Sequence, residues 1–80
     1  MAQGSDDETR RRIEKDISSF NSNIDGLGAQ SSERARKMVE LAKMYASDAK
    51  SYLDKGDMYT SFSCISYAHG ILDAVKELAD

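Results

Sequence analysis

The apolar positions of the chain fall into three blocks, each with helical spacing. In the first block Ile13, Ile17, Phe20 and Ile24 recur at spacings of four, three and four. That confines them to a stripe about 60° wide, so this helix should touch a core along one narrow seam. Arg10, Arg11, Arg12, Lys15 and Asp16, with the polar set Ser18, Ser19, Asn21 and Ser22, lie off the stripe.

In the second block Ala35, Met38, Val39, Leu41, Ala42, Tyr45, Ala46, Ala49, Tyr52 and Leu53 cover about 160° of a helical wheel. Arg36, Lys37, Glu40, Lys43, Ser47, Lys50 and Asp54 stand opposite, and Met44 projects among these charges. The third block is the most apolar. Met58, Phe62, Cys64, Ile65, Tyr67, Ala68, Ile71, Leu72, Ala74, Val75, Leu78 and Ala79 spread over about 240°. A helix with so wide an arc should have neighbours on two sides.

The ends of the blocks carry helix punctuation. Ser5 and Glu8 have capping-box spacing, with acidic Asp6 and Asp7 suited to the positive end of a helix dipole, which predicts a first helix over 6–25 and a frayed segment at 1–4. Gly26 and Gly28 around Leu27 should end it. Ser31 or Ser32 is placed to cap a second helix over 32–55, with Gly56 after Lys55 as its terminator. Asp57 follows at once as the N-cap of a third helix over 58–78. So short a connection predicts an antiparallel hairpin. The expected architecture is all-α: one domain over 1–80, an up-down-up three-helix bundle.

Composition supports this and narrows the function. Eighty residues allow a single domain near the lower size limit for an unstapled core. The chain has no Pro or Trp, and 31% of its residues are charged, a composition that suits helices better than strands. Net charge is -3, distributed as -2 over 1–28, +2 over 29–56 and -3 over 57–80. The overall acidity argues against a nucleic-acid partner, while the alternation favours a basic second helix beside an acidic third. Cys64 is the only cysteine, so it has no intramolecular disulfide partner and reads as a buried thiol in a reducing cytoplasm. No signal-peptide core or membrane-length apolar run is apparent, and a cytoplasmic protein without membrane contact is expected.

Tyr52-Leu53, Gly56-Asp57, Phe62, Ile65 and the run Tyr67-Ala68-His69-Gly70-Ile71-Leu72-Asp73-Ala74 together resemble a small archaeal family known as domain of unknown function 357. The match covers roughly Tyr45 to Leu78. It implies a compact three-helix bundle of the albumin-binding-domain type and carries over no activity, since the family has none assigned. Ser61 and Ser63 stand where the family more often has Ala, a departure that bears on how fully the third helix is enclosed.

Candidate chemistry is sparse. His69, the only histidine, stands four residues before Asp73, and such a pair is able to orient an imidazole as a general base or a metal ligand. A metal site needs three or four ligands, and the chain has no second His and no HExxH or CxxC spacing. The plainer reading is a structural His at the core margin, with no cofactor and no catalytic residue. Arg10, Arg11 and Arg12, with the basic face of the second helix, form a possible RNA-binding surface, but Asp6, Asp7, Glu8, Glu14 and Asp16 offset the arginines. Tyr45 and Tyr52, seven apart, would serve as a base-stacking platform or, more simply, as core edge.

One seam of the third helix is left over. Tyr59, Ser63, Ser66, Gly70, Asp73 and Glu77 recur at spacings of four, three, four, three and four. Gly70 inside a helix costs about 1 kcal/mol relative to Ala. The seam is either filled by the first helix or solvent, or it receives a helix of another protein, such as a second copy of the chain, recognised by Tyr59 and Asp73. The resulting expectation is a non-enzymatic interaction module or small subunit. The alternatives are an enzyme or metal protein centred on His69 and Asp73, or a weak RNA binder.

Overall fold

A computed structural model describes residues 2–79 and the side chains of residues 7–78. Three helices follow one another: α1 (Ala2–Leu27), α2 (Glu33–Asp54) and α3 (Met58–Ala79). They run up, down and up in a rod of 48 × 17 × 16 Å. The all-α three-helix bundle expected from the apolar blocks is therefore the fold.

α1 is longer at both ends than its punctuation predicts. It begins at Ala2, so Ser5 is an interior residue and the Ser5–Glu8 capping box does not start the helix; residues 2–4, expected to fray, are helical. Nothing in Ala2–Gly4 forbids this, since no proline interrupts the backbone. Met1 lies outside the described residues. At the other end the helix passes through Gly26, and the left-handed residue is Gly28, at φ 76°. α2 starts as expected, with the Ser32 hydroxyl accepting from the Ala35 amide at 3.2 Å. Arg36 donates through Nη1 to the carbonyls of Gln30 and Ser31, both at 3.0 Å, which holds the preceding loop against the helix.

The α2–α3 connection is a Schellman turn. Gly56, at φ 85°, donates its amide to Leu53 O at 3.0 Å, and Asp57 donates to Tyr52 O at 2.9 Å. Asp57 then caps α3, its Oδ1 accepting from the Thr60 amide at 3.1 Å. One residue thus closes one helix and opens the next, which fixes the hairpin.

Small residues let the hairpin pack closely. Ala42, Ala46 and Ala49 of α2 are buried with Ile65, Ala68 and Leu72 of α3, and α1 adds Ile13 and Phe20 to the same cluster. Ile17, Ile24 and Leu27 are only partly covered. α1 packs more extensively on α3 than on α2. Between α1 and α2 a groove of about 410 Å³ stays open over Ile17, Phe20, Ile24 and Ala46, with Lys43 and Lys50 on its edge. A four-residue stripe is too narrow to seal both neighbours at once.

α3 is less enclosed than its wide apolar arc predicts. Its two flanks do meet α1 and α2, but Phe62, Tyr67 and Leu78 are exposed. The buried set Ser61, Ile65, Ala68, Leu72 and Val75 spans only about 80° of the wheel. A single further helix, α1, covers one side of the hairpin and leaves the other bare.

Candidate functional site

Each candidate side chain now has a place. His69 is half-buried and turns toward α1: its Nε2 lies 2.8 Å from the Asp16 carbonyl, to which it donates, and its ring meets Phe20 edge-on, with centroids 5.7 Å apart. Because only a protonated ring nitrogen donates to a carbonyl, this contact fixes the proton on Nε2. The ring therefore bonds across to the first helix rather than along α3 to Asp73. Among the described residues no group of three His, Cys, Asp or Glu side chains is placed to hold a metal ion.

The basic candidates are locally compensated. On α2, Lys37 pairs with Glu33, Lys43 with Glu40 and Lys50 with Asp54, each within its own helix. Arg11 and Arg12 are exposed and Arg10 is half-buried, all on α1. Tyr45 and Tyr67 lean together with ring centroids 4.7 Å apart, while Lys55 sits 5.3 Å over the Tyr52 ring. The two tyrosines weighed as a base-stacking platform or as core edge thus make separate contacts, one with Tyr67 and one with Lys55. Cys64 is half-buried and free. Burial, then the Asp48 and Asp57 carboxylates, raise its thiol above the ordinary value of 9.0, the opposite of what an activated thiolate needs.

The seam of α3 faces outward along its length. Tyr59, Ser63, Ser66, Gly70, Asp73 and Glu77 are all exposed, so α1 does not fill it. A Cβ added at Gly70 would meet nothing within 4 Å. Ser63 turns its hydroxyl back to the Tyr59 carbonyl at 3.1 Å. Ser61, two residues earlier, is fully buried instead, its hydroxyl donating to Ala49 O of α2 at 2.6 Å. Of the two serines that depart from the resembled pattern, one is a core hydrogen bond and one belongs to the surface.

A surface that the apolar blocks did not single out borders this seam. On the side of the hairpin away from α1, Leu41 is 41% exposed, Met44 62%, Tyr67 58% and Leu78 59%. Half-buried Met38, Tyr45 and Ile71 lie among them. A hollow of about 300 Å³, walled by Met38, Tyr67, Gly70, Ile71 and Ala74, opens on this face. The signal in the sequence was the excess width of α3's arc, which a three-helix bundle is unable to cover.

The family described as "Protein of unknown function (DUF357)" matches residues 11–79, which include all of α2 and α3 and most of α1. The chain belongs to this family. No curated protein matches it. Neither the membership nor the fold brings a reaction with it. Among the described residues no helix is long and apolar enough to cross a membrane.

Proposed function

We propose that the chain is a non-enzymatic interaction module or small subunit of the cytoplasm, and that it receives a helix of a protein partner on the outer side of the α2–α3 hairpin. The observation carrying this reading is the contiguous exposure of Leu41, Met44, Tyr67 and Leu78 around the hollow at Gly70. Exposed apolar groups gathered around a depression favour a binding surface over random scatter. Tyr59, Ser63, Ser66, Gly70 and Asp73 form the polar edge of the same surface, with Gly70 shared between edge and hollow.

Chemistry elsewhere in the molecule is weaker support for an enzyme. The His69 ring nitrogen is engaged in holding α1. For RNA, the α2 lysines already have carboxylate partners.

A photo-crosslinking residue at Tyr67, compared with one at Lys15 on α1, tests the reading in living cells. Protein adducts are expected from position 67 and not from position 15. Equal yields from both positions, or none from 67, would remove the proposal.

A further inference from the structure

The outer face of the hairpin is matched to itself. Tyr45 lies opposite Tyr67 and Ala49 opposite Ser61, so the antiparallel register continues upward with Leu41 level with Gly70 and Arg34 level with Glu77. Now let a second copy be turned by 180° about an axis parallel to the helices. Its α3 then lies over α2 of the first, heights are preserved, and every contact occurs twice.

In that arrangement shape and charge agree. Leu41 points straight out of α2, at the level of the hollow that Tyr67, Gly70, Ile71 and Ala74 wall on the opposing α3. Gly70 leaves that hollow open because it has no side chain, and beyond its own helical turn no atom lies within 4 Å of where a Cβ would stand. Arg34, near the start of α2, stands level with Glu77 near the end of the opposing α3, while Lys37 one turn on keeps Glu33 as its partner at 3.6 Å. Asp48, lower on the face, stands over the hydroxyl-bearing Ser63 and Tyr59 rather than over another carboxylate. Met44 comes level with Tyr67, a thioether beside an aromatic ring.

The size of the face is sufficient. Twenty-two residues of α3 extend about 33 Å, and the bundle is 17 Å wide. Roughly 560 Å² in plan, and more as corrugated accessible surface, approaches the ~800 Å² per partner of a standard interface. The other orientation, α2 on α2, would set Arg34 and Lys37 of one copy toward Lys55 of the other and leave Glu77 without a cation.

From these matches we infer that a second copy of this chain covers the face, with a two-fold axis parallel to the helices and each Leu41 seated in the Gly70 hollow of the other copy. The inference rests on the interaction-module reading and supplies its partner.

Sedimentation equilibrium of the full chain tests it. The expected mass is about twice 8.9 kDa; a constant mass of 8.9 kDa at every concentration overturns the inference. Gly70→Leu should fill the hollow and shift the chain to monomer. Since that variant also alters the helix surface, a charge exchange provides a second measurement. Arg34→Glu and Glu77→Lys should each weaken association about tenfold, because symmetry doubles the repulsion, and the double variant should recover most of the loss. Dimers indifferent to both Gly70→Leu and the charge exchange would use a different face and overturn the proposal. A monomeric chain that still crosslinks from position 67 to another protein defeats the dimer and leaves the interaction module standing.

Discussion

The Ser61 hydroxyl of α3 donates to the Ala49 carbonyl of α2 at 2.6 Å, with Ser61 entirely buried. Only small side chains at both positions permit this approach of the two helices. Ser61→Ala should remove the bond and little else, since the Ala49 carbonyl keeps its place in the α2 ladder. A loss of about 1 kcal/mol is expected, lowering the melting temperature by roughly 4–8 °C. Ser61→Val should cost more, about 1–3 kcal/mol, by overpacking the contact. Urea unfolding of the three proteins measures both steps.

His69 is assigned to the docking of α1 through Asp16 and Phe20. His69→Ala should therefore destabilise by about 1–3 kcal/mol, the sum of one hydrogen bond and one aromatic edge contact. Its effect on hydrogen exchange should be uneven, with α1 amides exchanging faster and the Ala42–Ala49 segment of α2 hardly changed. Uniform acceleration through all three helices would contradict the assignment.

Two glycines should respond in opposite directions. Gly56 holds φ 85° in the Schellman turn, a conformation that costs an L residue about 1–2 kcal/mol, so Gly56→Ala should destabilise by that amount. Gly70 is helical with open space where a Cβ would stand, so Gly70→Ala should stabilise the dilute chain by up to about 1 kcal/mol. Thermal melts at low concentration compare the pair directly. A gain at Gly70 would mean that glycine is kept there at the expense of helix stability.

The N-cap of α3 predicts a pH dependence. The Thr60 hydroxyl, then its amide, lower the Asp57 carboxyl below its ordinary 3.8. A carboxyl depressed on folding adds stability that is present above its unfolded value and is lost as pH falls through the folded one. The melting temperature of the parent should therefore decline below about pH 4, and that of Asp57→Asn should decline less over the same interval. Parallel curves for the two proteins would mean that the cap does not titrate as described.

Much of this arrangement was visible in residue order. The Ile13–Ile17–Phe20–Ile24 stripe, the Ser32 cap and the Gly56–Asp57 turn are local patterns whose physics is complete within a few residues, and they appear where they were expected. Ser5 was misleading because a cap signal competes only with the residues before it, and Ala2–Gly4 continue the helix. Enclosure of α3 was not readable in the same way. Which of Phe62, Tyr67 and Leu78 is covered depends on where two other helices stop, and a helical wheel contains no neighbours. The buried role of Ser61 was equally hidden, since its acceptor is a backbone carbonyl twelve residues away. For the candidate site, helical spacing alone places the exposed polar residues of α3 in one line, but the apolar hollow beside it arises only when Met38 of α2 is brought against Tyr67 and Ile71.

The shared residue at the turn, Asp57, also sets an order of events in time. Contacts between α2 and α3 need only the shortest of loops to close, whereas α1 must dock across its own loop onto partners far along the chain, as Asp16 does with His69. Local closure loses less entropy before any contact forms. The hairpin should consequently assemble first, with α1 arriving after the rate-limiting barrier. In folding kinetics, Ala49→Gly should slow refolding almost as much as it destabilises, while Ile17→Val and Ile24→Val should act mainly by speeding unfolding.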